Sequence, residues 1–289
     1  MTDIFISGRN RMQHSEYYWT SKDNMKIYGQ EWKPEGKVKA GIAMVHGLGE
    51  HSGRYEHIAQ AFTDAGYSLT AFDLPGHGKS EGVRGHAHSY AVLMSDITQN
   101  IDLVKEHFPN LPVFLYGHSL GGNLVLYYCL TQKPQIKGAI VTSPGLGTAA
   151  PVPPAKLALG KLMYNLMPAM QMDNGLDRSG LSRDPEVEKK YAADPLVHPK
   201  ISARLALDLI NNGRYIVEHA ADLPIPLLLM QGTGDRIVNP PLTKQFANAA
   251  PLSKITYKEW DGFYHEMHNE PEKAKVLKTM TDWLDFELK

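Results

Sequence analysis

The stretch VFLYGHSLGGNLVLYYCL, residues 113–130, sets a short apolar run before Gly117-His118-Ser119-Leu120-Gly121 and a helical pattern after it. A serine at such a strand-to-helix turn is held strained and exposed at the sheet's edge, because the flanking glycines let the chain turn sharply. The same G-x-S-x-G spacing recurs at Gly78-Lys79-Ser80-Glu81-Gly82. Ser80 lies well past its strand, and GVRGHAHS after it opens no helix. Ser119 is therefore the candidate nucleophile, and Ser80 belongs to a glycine-rich loop.

Working outward, residues 15–19 and 26–32 are separated by the polar turn SKDN and read as a hairpin. Residues 38–45 (VKAGIAMV) form a short apolar run of the kind buried on both faces of a parallel sheet, and 67–72 and 137–142 are further candidate strands. Residues 55–65 and 90–108 carry apolar side chains at helical spacing. The alternation stops at Ser143-Pro144-Gly145 and resumes with IPLLLMQ at 225–231, ITYKEW at 255–260 and a closing helix with apolar positions 276, 277, 280, 283 and 284. The expected architecture is α/β: a mostly parallel sheet flanked by helices, with a helical cap inserted after the sixth strand. The core then comprises residues 1–145 and 222–289, and the cap residues 146–221.

A serine hydroxyl attacks only when a base takes its proton and a carboxylate orients that base. In this architecture the acid follows a late strand and the histidine comes near the end. Asp235, in Gly232-Thr233-Gly234-Asp235, follows PLLLMQ, and His265 follows ITYKEW. Both fall at carboxyl ends of strands, where such sheets collect their chemistry. Asp261 is a rival acid and His268 a rival base, each in a less fitting position. A developing oxyanion needs backbone donors, and the N–H groups of Leu120 and of Leu48, in His46-Gly47-Leu48-Gly49, are the expected pair.

Of 289 residues, 43% are hydrophobic and 21% charged, an ordinary globular balance that excludes a disordered, collagen-like or coiled-coil chain. Thirty basic against thirty-one acidic residues leave no excess of Lys and Arg for phosphates, so nucleic acid is not an expected partner. The single cysteine, Cys129, rules out an internal disulfide framework and a thiolate zinc cage, and fits a reducing compartment. The histidines lack the paired spacing of a zinc-binding helix, so neither a metal nor an organic cofactor is expected. No stretch reaches about 18 uninterrupted apolar residues, and MTDIFISGRNRMQHSEYYW lacks a signal-peptide core. The expectation is a soluble, cytoplasmic protein. Its oligomeric state is not readable from the sequence.

HGLGEHSGRY (46–55), FDLPGHGKSEG (72–82), GHSLGG (117–122), GTGDRIV (232–238) and YHEMHNE (264–270), with LSRDPEV and ADPL in the insertion, resemble the monoacylglycerol lipases of the α/β-hydrolase superfamily. The resemblance runs over nearly the whole chain and is weakest in the insertion. It implies Ser119, Asp235 and His265 as triad and Leu48 and Leu120 as oxyanion donors, in agreement with the residues' own reading. It also implies a small polar pocket for glycerol at Glu50, Arg54 and His268, against a plain ion-pair network between Glu50 and Arg54. A carboxylesterase, lysophospholipase or thioesterase would use the same machinery. A non-catalytic receptor on this fold would not need all three triad residues in order.

In the insertion, Leu159, Leu162, Met163, Leu166, Met167 and Met170 follow steps of three and four and are expected as one stripe on a helix, disturbed by Pro168. Either the stripe packs the cap onto the core, or part of it walls an acyl chain and part faces lipid. On the second reading the protein touches a membrane or micelle transiently and sits peripherally at membranes.

Overall fold

Strand β1 (Met12–Thr20) turns back into β2 (Lys26–Pro34), the two running antiparallel with Trp19 opposite Ile27. The computed structural model describes residues 12–150 and 152–289. Beyond the hairpin come β3 (Ala40–Val45), helix α1 (Glu56–Asp64), β4 (Tyr67–Phe72), α2 (Tyr90–His107), β5 (Val113–His118), α3 (Leu120–Gln132) and β6 (Gly138–Thr142). After the insertion follow β9 (Leu227–Gly232), α7 (Pro240–Ala249), β10 (Ile255–Trp260) and α8 (Lys273–Glu287). The sheet order is β1-β2-β4-β3-β5-β6-β9-β10. β2 meets β4 antiparallel, and every pairing from β4 to β10 is parallel. This is the mostly parallel, helix-flanked sheet of an α/β hydrolase.

Strands β3, β4, β5, β6 and β9 are buried along their whole length because both their faces are covered. Along β3, Ala43 and Val45 join a core with α2 and α3, while Ile42 and Met44 join a second core with α1 and α8. Successive side chains point to opposite faces, so a strand with a helix layer on each side buries every position, the polar Ser68 and Thr70 of β4 included.

The insertion holds α4 (Pro154–Leu166), β7 (Gln171–Asp173), α5 (Pro185–Ala193), β8 (Lys200–Ser202) and α6 (Ala203–Glu218). It is not wholly helical as expected, since β7 and β8 pair antiparallel. Its charged run DPEVEKK opens α5, with Asp184 accepting from the N–H of Glu186 at the amino end. Helix α7, an element the sequence analysis did not give, opens on two prolines. At the first turn of a helix they remove only N–H groups that would have no partner.

The six apolar residues of the expected stripe do not share one helical face. Helix α4 ends at Leu166, Met167 caps it, and Met170 lies in the turn before β7. Leu159, Leu162, Leu166 and Met167 are 52%, 54%, 67% and 55% exposed, whereas Met163 and Met170 are half-buried. The side of α4 that packs on α6 carries Gly160 against Leu207 and Tyr164, whose hydroxyl donates to Asp208 (3.0 Å). Most of the stripe thus faces solvent and does not pack the cap onto the core.

Candidate active site

Strand β5 runs directly into α3 through Ser119, whose backbone sits at φ 55°, ψ −116°. That conformation is costly for a residue with a side chain and persists only where its surroundings enforce it. The two glycines show how: a Cβ on Gly117 would stand 2.4 Å from the carbonyl oxygen of Gly121, and one on Gly121 would stand 2.0 Å from that of Val45. Only glycine fits at either place. The half-buried Ser119 side chain is thereby raised at the carboxyl edge of the sheet.

His265 and Asp235 arrive from the loops after β10 and β9. Ser119 Oγ lies 2.9 Å from His265 Nε2, and His265 Nδ1 lies 2.8 Å from Asp235 Oδ2. Asp235 Oδ1 accepts from the N–H groups of Ile237 (2.8 Å) and Val238 (3.1 Å), which leaves Oδ2 for the imidazole and for Gln231 Nε2 (3.0 Å). With its carboxylate partner on Nδ1, the neutral ring carries its proton there and presents a lone pair on Nε2 to the serine. Burial pushes the His265 imidazole down, but the Asp235 carboxylate, helped by Glu266 and Glu50, outweighs it and holds the group above the usual value of 6.5. Burial likewise opposes ionisation of Asp235, and His265 with the two backbone donors keeps its carboxyl below the usual carboxylate range.

None of the three rivals enters this chain of hydrogen bonds. Asp261 is exposed and accepts from Thr233 Oγ1 (3.2 Å), and Ser80 is buried with its hydroxyl on the carbonyl of Asp73 (2.6 Å). The His268 ring lies tilted against Tyr55 (5.3 Å between centroids) and edge-on to His118 (4.7 Å), with Nδ1 unpartnered among the described residues.

The loop after β3 approaches Ser119 closely, since a Cβ on Gly47 would come 3.2 Å from that of the serine. The N–H of Gly47 donates to Glu50 Oε1 (2.7 Å), tightening the loop. Among the described residues no group accepts from the N–H of Leu48 or of Leu120, which leaves both free for a ligand oxygen. The insertion completes the surroundings, with Leu209 of α6 3.3 Å from where a Cβ on Gly145 would stand, beside the Ser119 carbonyl.

Glu50, buried, and Arg54, half-buried, belong to an ion-pair network with a member the sequence reading missed, Glu266. Arg54 donates from Nη1 and Nη2 to Glu266 (2.7 and 2.8 Å) and also to Glu50, whose Oε1 accepts from Tyr55 Oη (2.6 Å). Burial works against the Glu266 carboxylate, and the Arg54 charge nevertheless holds its pKa far below the ordinary carboxylate range. The guanidinium lies 4.7 Å from the ring centroid of Tyr191 in the insertion. His118 was missed too: its ring centroid is 4.8 Å from that of His265, and its Nδ1 pairs with Thr142 Oγ1 (3.0 Å). Burial first, then the neighbouring His265 charge, pushes His118 down to about 3, so it stays neutral beside the candidate base.

The sheet, the strained serine and its imidazole–carboxylate pair define the α/β-hydrolase class. Residues 36–272 match the family described as serine aminopeptidase, S33. The chain belongs to the monoacylglycerol lipase family of these hydrolases, being 32% identical over 271 residues to the monoacylglycerol lipase of Mycolicibacterium smegmatis, with 93% of this chain and 96% of that protein covered. It is 32% identical to phospholipase YtpA of Bacillus subtilis, covering 88% of this chain and 98% of that one. The crystal structure of the Paleococcus ferrophilus monoacylglycerol lipase superposes with a TM-score of 0.82 at 33% identity, over 96% of this chain and 99% of that one. An uncharacterized abhydrolase domain-containing protein of Dictyostelium discoideum is 40% identical over 91% of this chain, which spans only 28% of that longer protein.

Proposed function

We propose that this protein is a carboxylic ester hydrolase that cleaves monoacylglycerols to glycerol and free fatty acid through an acyl-enzyme on Ser119. The observation that carries the reading is the Ser119–His265–Asp235 chain, 2.9 and 2.8 Å, beside two unengaged N–H groups. Ser119 Oγ attacks the ester carbonyl while His265 Nε2 takes its proton, and the resulting oxyanion is received by the N–H groups of Leu48 and Leu120. Asp235 holds the imidazole and stabilises the imidazolium that forms. The proton passes to the departing glycerol oxygen as the C–O bond breaks. Water, deprotonated by His265, then attacks the acyl-serine; the fatty acid leaves and Ser119 recovers its proton.

The relatives named as monoacylglycerol lipases support the substrate class. The alcohol side of the site is read at His268, with Glu50 and Arg54 holding its wall. The acyl side is read at Met163 and Met170, half-buried in the insertion, while Leu159, Leu162, Leu166 and Met167 form the surface that meets lipid. Such contact would let the enzyme take an amphiphile from a membrane or micelle. Among the described residues no helix is long and apolar enough to cross a membrane, which agrees with a peripheral contact. The buried, unpaired Cys129 agrees with a cytoplasmic setting. The division into a core of residues 1–145 and 222–289 and a cap of 146–221 belongs to the same reading.

Likeness to a protein named phospholipase favours one second reading, a lysophospholipid as substrate. Hydrolysis of monoacylglycerols of graded chain length, with lysophospholipid, diacylglycerol and triacylglycerol controls, tests both. Highest kcat/KM on a monoacylglycerol is expected, and preference for lysophospholipid would overturn the assignment.

A further inference from the structure

The backbone of the histidine loop is held from several sides. From the core, the N–H of Gly234 donates to the carbonyl of Phe263 (2.9 Å), and Ser143 Oγ donates to that of His265 (2.8 Å). Two further contacts come from the insertion. The N–H of His265 donates to the carbonyl of Gly180 (3.2 Å), and the N–H of Glu266 to that of Leu181 (2.7 Å). Ser182 Oγ adds a bond to the carbonyl of Asn269 (3.0 Å). A short piece of the insertion is thus laid along the segment that carries the candidate base.

Arg183, the next residue, closes this arrangement. Its Nε (2.8 Å) and its backbone N–H (3.3 Å) both donate to Oε2 of Glu270, a carboxylate with no solvent exposure, and Nη2 donates to Glu272. Oε1 of the same Glu270 accepts from the N–H of Tyr264 (2.6 Å), immediately before His265. The guanidinium also lies over Phe263, 4.6 Å from the ring centroid. One buried carboxylate therefore joins the insertion's arginine to the backbone that delivers the base.

We propose that Arg183 and Glu270 are a positioning pair: their clasp seats residues 180 and 181 against the histidine loop and so sets His265 Nε2 relative to Ser119 Oγ. Neither side chain touches the reacting atoms. The physical demand is strict, because misplacing a reacting group by about 1 Å costs roughly a hundredfold in rate. Without its guanidinium partner the buried Glu270 carboxylate keeps only the N–H groups of Arg183 and Tyr264, and its hold on Tyr264 loosens. The insertion has other anchors on the core, including the N–H of His198 on the Gly49 carbonyl (2.9 Å) and that of Ser202 on Gly85 (2.8 Å). Loss of the clasp is therefore expected to shift the histidine loop without detaching the insertion.

The inference rests on Ser119 and His265 being the reacting groups, and its test separates the two claims. Wild type, Arg183→Gln, Arg183→Lys and Glu270→Gln are compared by rate of fluorophosphonate labelling, by kcat and KM on the short soluble ester para-nitrophenyl acetate, and by thermal melting. Arg183→Gln is expected to slow labelling and kcat roughly ten- to hundredfold while KM stays within about twofold. Arg183→Lys, which keeps the charge and one donor, is expected to recover part of the loss. A folded Arg183→Gln that labels at the wild-type rate, or loses only KM, overturns the proposal. Should Arg183→Gln not fold, the isosteric Glu270→Gln decides in the same way, and an unchanged labelling rate in it overturns the proposal. If wild type itself does not label, it is the hydrolase reading that falls.

Discussion

Replacing Asp235 by Asn changes one atom, and the hydrogen bonds around it fix the consequence. Oδ1 accepts from two backbone N–H groups, while Oδ2 accepts from His265 Nδ1 and Gln231 Nε2. An asparagine that keeps its oxygen on the backbone pair turns its amide NH2 toward Gln231 and His265. Gln231 cannot flip to oblige, because its Oε1 accepts from Thr243 Oγ1 (3.0 Å) and its Nε2 also donates to the Gly232 carbonyl (3.1 Å). Donor then faces donor at Gln231, at a cost of about 1–3 kcal/mol in stability. At His265 the amide forces Nδ1 to accept, which places the ring proton on Nε2, where it blocks removal of the serine proton. Loss of the correct tautomer in a serine–histidine–aspartate triad lowers kcat about 10⁴-fold, equivalent to about 5.4 kcal/mol of barrier. The acid limb of kcat/KM should also move down. Without Asp235, burial is the largest influence left on the imidazole, and it favours the neutral form. The assay is kcat and its pH dependence on a soluble ester, with a thermal melt to establish folding. A folded Asp235→Asn enzyme within tenfold of wild-type kcat would refute Asp235 as the orienting acid.

Ser119→Ala should abolish turnover and fluorophosphonate labelling. Ser80→Ala should keep both and lose about 1–3 kcal/mol of stability, because the buried Ser80 hydroxyl donates to Asp73 and accepts from the N–H of Tyr28; the reverse pattern would exchange their roles. In wild type, kcat/KM should fall on acidification through a pKa above 6.5, since His265 must be neutral to act as base and its folded value is raised. A limb below 6.5 in a pH-rate profile would contradict this. Arg54→Ala should destabilise by about 3–5 kcal/mol, measured by denaturant melt, because it strands two buried carboxylates. The glycerol-side reading is therefore better tested by His268→Ala, expected to lower kcat/KM on monoacylglycerols more than on para-nitrophenyl esters; equal losses would make His268 structural. Leu166→Asp and Met167→Asp, at positions more than half exposed, should leave the melting temperature nearly unchanged and weaken binding to liposomes in a flotation assay. Undiminished liposome binding would remove those positions from the lipid-facing surface.

Local chemistry wrote the sheet and the triad candidates plainly into the chain. Strands covered on both faces leave largely apolar runs, and a serine forced to positive φ needs glycine at 117 and 121 within a five-residue window. Asp235 was legible because it follows such a run, and His265 because it follows the last strand, ITYKEW, in the chain order a serine triad takes on this fold. The choice of Ser119 over Ser80 also needed only the flanking pattern. What lay beyond the sequence depends on pairs far apart along the chain. Glu266 stands 212 residues from Arg54, and Glu270 stands 87 from Arg183, yet each pair shares hydrogen bonds. No periodicity or spacing rule encodes such pairs, because only packing of the insertion and the terminal loops brings their charges into one buried volume. The apolar stripe fails for a related reason. Spacing places Leu166 and Met163 on neighbouring turns, but which of them faces water is decided by where α6 lies against α4.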